Sequence, residues 1–110
     1  SIFDNSPFSI TYPSDGSYAS ALILFDVYLK IFVPTGTDPA SLMPVHITKG
    51  SSGSAAGIIR ESFGTKRGDN LIFDFSLIDT VQPGETISIK YGISGAHILP
   101  PSYFTGIRQS

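Results

Sequence analysis

Apolar and polar positions alternate along this chain with a period of two, and clusters of Gly, Pro, Asp and Ser break the alternation at short intervals. Phe8-Ser9-Ile10-Thr11-Tyr12 alternates until Pro13-Ser14-Asp15-Gly16, which predicts a short first strand. The pattern is clearest between Tyr18 and Val33. There Val27, Leu29, Ile31 and Val33 fall on one face and Tyr28, Lys30 and Phe32 on the other, a division that helical phasing would scatter. A run this long exceeds the usual strand, so a bend, a bulge or a short turn is expected near Leu24 to Asp26, where the run could divide in two.

Pro34-Thr35-Gly36-Thr37-Asp38-Pro39 is a loop by composition, because its prolines remove ladder donors and its glycine supplies turn dihedrals. With Asp38 as cap and Pro39 at the first helical position, a single minor helical turn is expected through Leu42. Val45 to Lys49 alternates again, Gly50 to Ser54 is a hydroxyl-rich loop, and Gly57 to Phe63 reads as another strand. Gly64 to Asn70 has the composition of an exposed turn. After it, Leu71, Phe73, Phe75 and Leu77 face away from Ile72, Asp74, Ser76 and Ile78. In Val81-Gln82-Pro83-Gly84-Glu85, Pro precedes Gly at the central turn positions, the pairing of a type II turn, and Thr86 to Ile93 follows as a strand. His97-Ile98-Leu99 and Tyr103 to Ile107 close the chain around Pro100-Pro101. Seven or eight short strands with almost no helical periodicity predict an all-β fold. The expected form is one domain over residues 1–110, a two-sheet antiparallel β-sandwich of immunoglobulin-like architecture, with a small barrel as the alternative.

Composition narrows the function more than it defines it. The chain has 110 residues, seven Lys and Arg against nine Asp and Glu for a net charge of −2, and neither Cys nor Trp. A domain of this length buries roughly 65% of the surface its unfolded chain exposes, so a core is possible without disulfide or metal staples. Charged residues are 15% of the chain and mean hydropathy is +0.17, so solubility rests on hydroxyls and amides. No nucleic acid partner is expected, because the chain lacks the positive field that phosphate backbones require. The apolar stretch ending at Phe25 is cut off by Asp26, far short of the ~20 residues a membrane helix needs. Abundant Ser and Thr, scarce Lys and a start at Ser1 point outward. The expected location is the extracellular or cell-envelope space, with membrane attachment only through an anchor preceding Ser1.

Catalytic and metal chemistry find little footing. The histidines are His46 and His97, both in predicted strands or at strand edges, and each reads as solvent-facing or hydrogen-bonded. Gly92-Ile93-Ser94-Gly95 lacks a spacer of the nucleophile elbow and opens into no helix. Soft metal sites are excluded by the missing thiols, and Asp69, Asn70 and Asp74, or Asp4 with Asp15, lack the spacing of a calcium loop. A hydrolase would require His46 or His97 to converge with Glu61. No cofactor is expected, and the chain is expected not to be an enzyme. The remaining signal is apolar and aromatic residues on outward faces: Tyr28, Lys30 and Phe32, then Ile72, with Tyr103 and Phe104 near the end. These are the candidate interface residues, since aromatics carry much of the energy of protein contacts.

From Asp26 to Ile47 an alternating strand runs into the Pro34-Thr35-Gly36 loop, the Asp38-Pro39-Ala40-Ser41-Leu42 turn and a second strand. This order resembles the globular domain of archaellins and their relatives. Gly68-Asp69-Asn70-Leu71-Ile72-Phe73 and Val81 to Tyr91 are similar to that family's loop before a Pro-Gly-acidic turn and its final strands. Archaellins begin with a long apolar filament-core helix, which this sequence does not contain. The resemblance therefore implies the outer domain of an archaellum accessory protein, of the kind that surrounds or anchors the filament base. Its partners would be proteins: a second copy, a homologous sister subunit or a surface-layer protein. A glycan- or ligand-binding sandwich of an adhesin or virion surface, using Tyr103, Phe104 and nearby loops, is the alternative expectation.

Overall fold

The computed structural model of the chain describes residues 5–14, 16, 19–34, 36, 44–51, 56–92 and 95–109, with the side chains of residues 5–8 outside that description. Among them lie β1 (Asn5–Thr11), β2 (Ala21–Phe32), β3 (Val45–Gly50), β4 (Gly57–Ser62), β5 (Thr65–Arg67), β6 (Asn70–Val81), β7 (Thr86–Tyr91) and β8 (His97–Arg108). They form two four-stranded antiparallel sheets, β1-β7-β3-β4 (sheet A) and β5-β6-β2-β8 (sheet B), and the described residues contain no helix. The expected all-β, two-sheet sandwich is the observed architecture. The expected helical turn at Asp38 to Leu42 lies outside the described residues.

Strand β2 shows why the sequence takes this form. Ala21, Ile23, Phe25, Val27, Leu29 and Ile31 are all buried, while every intervening residue is at least partly exposed. Slipping the strand by one residue would turn this whole set into solvent, so the apolar pattern fixes the register. Facing it from sheet A are Val45, Ile47, Ile87, Ile89 and Tyr91, and beside it in sheet B are Leu71, Phe73 and Val81. Gly106 of β8 lies flat over this layer, where an added Cβ would sit 3.2 Å from both Ile23 and Phe25.

Several expectations are corrected. Strand β2 is not broken near Leu24 to Asp26; it pairs with β6 without interruption from Ala21 opposite Val81 to Phe32 opposite Asn70. The irregularity lies on the other side, where Tyr28 opposes Tyr103 but Lys30 opposes Leu99, so the extra residues belong to β8. Proline cannot donate to a ladder, and Pro100 and Pro101, joined by a cis peptide bond, sit in this bulge. Ser102 makes up part of the loss: the Lys30 N–H donates to Ser102 Oγ at 3.0 Å, and that hydroxyl donates to the Leu99 carbonyl at 2.6 Å. His97 to Leu99 and Tyr103 to Ile107 are therefore one strand. Gly64 to Asn70 is also more than a turn, because Thr65–Arg67 forms β5 and pairs back on β6. Gly68 at φ +61, the sole positive φ of the two-residue Gly68-Asp69 link, has the dihedral sign of a type II′ hairpin.

The Pro83-Gly84 turn is as expected. Gly84 has φ +86, and the Glu85 N–H donates to the Gln82 carbonyl at 3.1 Å. Tyr12 ties this end of the sandwich together: its N–H and C=O bond to Glu85 and Gly84, and its hydroxyl donates to the Ala19 carbonyl at 2.9 Å.

Candidate functional site

Sheet B turns a largely apolar surface outward. The registers of β6, β2 and β8 align it in rows: Leu24 lies between Ile78 and Ile107, Asp26 between Ser76 and Thr105, and Tyr28 between Asp74 and Tyr103. Lys30 follows between Ile72 and Leu99, then Phe32 between Asn70 and His97. The Tyr28 and Tyr103 rings stack at 6.0 Å between centroids, as do Phe32 and His97. Ile78 and Ile107 are 58% and 59% exposed and Tyr103 is 42% exposed, so this surface lies open rather than beneath a loop. A groove of about 470 Å³ runs past Tyr28, Lys30, Ile72 and Pro101 to Arg67 and Asn70.

The residues singled out from the sequence divide on this surface. Tyr28, Lys30, Phe32, Ile72 and Tyr103 are brought together on it. Phe104 is not. Its ring points inward and stacks on Phe25 at 5.6 Å between centroids, against the core, because adjacent residues of a strand face opposite ways. Sequence reasoning overlooked Leu22, Leu24 and Ile107, which extend the surface toward the other end of the sheet. The signal was available: Leu22 and Leu24 share the even-numbered phase of Tyr28 and Phe32, but a continuous apolar run hides its own alternation.

Acidic groups cross the middle of the surface. The Tyr103 phenol is raised above its ordinary pKa of 10.0, chiefly by the Asp26 carboxylate, then by loss of solvent, then by Asp74 and Tyr28. The hydroxyl therefore stays a proton donor beside two carboxylates.

The outer face of sheet A has a different chemistry. Ser9 and Ser88 share a hydroxyl hydrogen bond of 3.0 Å, and Thr11 and Thr86 one of 2.9 Å, each across β1 and β7. In the next row His46 lies between Lys90 and Glu61, and His46 Nε2 is 2.8 Å from Glu61 Oε2. The convergence that a hydrolase would need is thus present for His46, as a cross-strand pair. An imidazole held by a carboxylate can act as a base toward a hydroxyl or a water at its other nitrogen. The nearest row offers Ser88, whose hydroxyl is bonded to Ser9, and Thr48, whose side chain is buried. A hollow of about 400 Å³ on this face is lined by Thr11, Thr48, Thr86, Ser88 and Lys90.

No group of three or more His, Cys, Asp or Glu that could hold a metal occurs among the described residues. Asp69 is an exposed turn residue whose carbonyl accepts from Val33 N–H at 2.7 Å, and Asp4 and Asp15 lie outside the described residues. No helix among the described residues is long and apolar enough to cross a membrane. No protein-family model, curated protein or solved structure matches the chain.

Proposed function

We propose that this chain is a non-catalytic interaction module that assembles, through the outer face of sheet B or an exposed strand edge, with a second copy or a homologous subunit. The observation that carries the reading is the contrast on one molecule. Sheet A pairs most of its outward groups as hydroxyls and ions, with Ile58 an isolated exposed apolar residue, while sheet B leaves Leu24, Tyr28, Phe32, Ile78, Tyr103 and Ile107 outward in adjoining rows. Contiguous apolar patches of this kind mark protein contacts. With the resemblance to the archaellin group, this makes the chain the immunoglobulin-like outer domain of an archaellum accessory protein. It would lie outside the cell membrane and contact the filament base, a sister subunit or the surface layer.

Sedimentation over a wide concentration range tests the reading. Self-association is expected, and Phe32→Asp, which buries a charge in the contact, should weaken it by about tenfold or more. A strictly monomeric chain, unchanged by Phe32→Asp, would remove the proposed face. One observation favours a second reading: the groove beside Tyr28 sets an aromatic ring next to Lys30, Arg67 and Asn70, a combination suited to a glycan. Saturable binding on a glycan array, lost in Tyr28→Ala, would select that reading; Phe104 can take no part in it.

A further inference from the structure

Along β6 the sandwich has an edge that, among the described residues, is only partly covered by a neighbouring strand. Successive residues of an antiparallel strand send their backbone groups alternately to either side. In β2 the even-numbered residues face β8: the Leu22 carbonyl accepts from Gln109 N–H at 2.7 Å, and Lys30 N–H reaches Ser102 Oγ. The odd-numbered residues of β2 therefore bond to β6, and the register, with Phe25 opposite Leu77, makes the odd-numbered residues of β6 their partners. The even-numbered residues of β6 face away. At one end Ile72 meets Thr65 of β5, where pairing with β5 stops. At the other end Thr80 is occupied: Lys49 Nζ donates to its carbonyl at 2.9 Å, and Asp79 Oδ1 accepts its N–H at 2.8 Å. Between them Asp74, Ser76 and Ile78 turn their N–H and C=O groups to a side where, among the described residues, no strand lies. A groove of about 830 Å³ runs along that side, lined by Ile59, Arg60, Ser76, Leu77, Ile78 and Asp79.

Resting on the reading of the chain as a self-assembling module, we infer that this edge pairs antiparallel with the same edge of a second copy, about a two-fold axis at Ser76. The register follows from which groups are free. Centring on Ser76 sets Ser76 opposite itself and Asp74 opposite the partner's Ile78, so the unbonded residues satisfy one another, and the pairing ends where the occupied Thr80 reaches the partner's Ile72, already held by β5. A centre at Leu77 or Ile78 would set Thr80 opposite Asp74 or Ser76. Charge agrees with the Ser76 centre, since each Asp74 meets an isoleucine and no like charges are directly opposed. On the inner side Phe75 meets Leu77 of the other copy, and both are apolar residues only partly covered within one chain. The two copies of sheet B then form one continuous sheet, the addition of a strand to an exposed edge. Their outer surfaces join into a single larger one.

The intact chain tests this with substitutions at Ser76, an exposed position beside Asp26. Ser76→Lys sets two ammonium groups together on the axis while pairing with Asp26 inside each copy. The fold should persist and the dimer dissociation constant should rise by about tenfold or more. Ser76→Cys in this cysteine-free chain should form an intermolecular disulfide on mild oxidation, because Cα atoms of a hydrogen-bonded antiparallel pair lie about 5.5 Å apart, within disulfide reach. Thr105→Cys, on the same face but on β8 at the sheet's opposite edge, should not. Amide exchange at Asp74, Ser76 and Ile78 should slow as concentration rises. If the wild-type chain associates and Phe32→Asp weakens it, while Ser76→Lys has no effect and Ser76→Cys does not cross-link, the edge pairing is overturned and the face remains as the contact. A chain that stays monomeric at every concentration overturns both.

Discussion

The outer faces of the two sheets are built from the same alternation, yet they end differently. On sheet A the outward positions include Ser9, Thr11, Thr86, Ser88, His46, Lys90 and Glu61, several of which hold one another across strands, and the apolar Ile58. On sheet B the outward positions carry leucine, isoleucine, tyrosine and phenylalanine, with charge at Asp26, Asp74, Lys30 and Arg67. A two-layer sandwich needs only one apolar face per sheet. Sheet A exceeds that requirement only slightly, at Ile58; sheet B exceeds it across adjoining rows. The excess is not needed for the core, because the inward set of β2 is already buried. The difference therefore locates where the molecule has surface to spare for a neighbour.

The strongest way to break the comparison is to remove what both faces depend on. Phe25 is fully buried and stacks on Phe104, so Phe25→Ala should cost about 3–5 kcal/mol. Denaturant unfolding followed by probes on each sheet should then shift as one transition. Separate midpoints would show that the faces belong to independently stable units. A finer measurement compares the faces directly by double-mutant cycles. The Tyr28 and Tyr103 pair should show a coupling of about 0.5–1.5 kcal/mol, as stacked rings do. The Thr11 and Thr86 pair should show about 0.2–1 kcal/mol. Equal couplings would mean that the aromatic row is ordinary cross-strand packing, with no reserve for a partner.

The smallest effect is electrostatic. Tyr103 is raised above 10.0, with Asp26 the largest cause, so the folded chain holds this proton more tightly than the unfolded chain does. Its contribution to stability is thus complete below about pH 10 and declines as pH rises through the folded value. Ultraviolet titration should show a phenol ionising late, and Asp26→Asn should move that step back toward the ordinary value. The ring is partly exposed, so added salt should reduce the shift. A titration unaffected by Asp26→Asn would detach the acidic band from Tyr103.

Much of this architecture was legible in the chain. Seven of the eight strands were marked, most of them by period-two patterning, and the Pro83-Gly84 turn was readable because its residues allow few other conformations. The missed strand, β5, is three exposed residues, Thr65-Lys66-Arg67, with no apolar alternation to reveal it. The break expected in β2 was misplaced because strand length was taken as its own limit. In fact β2 is held straight by β6, and the irregularity went to β8, where prolines could not donate. At the candidate surface, Tyr28, Lys30 and Phe32 were legible from parity alone. Phe104 was misassigned because its phase cannot be followed through Pro100-Pro101-Ser102, where a bulge resets which residue faces inward.

The sequence by itself determined that this chain makes strands, where most of them turn, and which face of β2 and β6 is buried. Those properties follow from local dihedral preferences and from a side-chain period that one strand carries alone. Only the tertiary structure decided that Leu24, Ile78 and Ile107 adjoin, that His46 meets Glu61, and that β6 outruns β5 to leave Asp74, Ser76 and Ile78 with open backbone groups. Such facts depend on the order and register of strands distant in the chain. Register is set by the summed packing of whole sheets, which no single segment encodes.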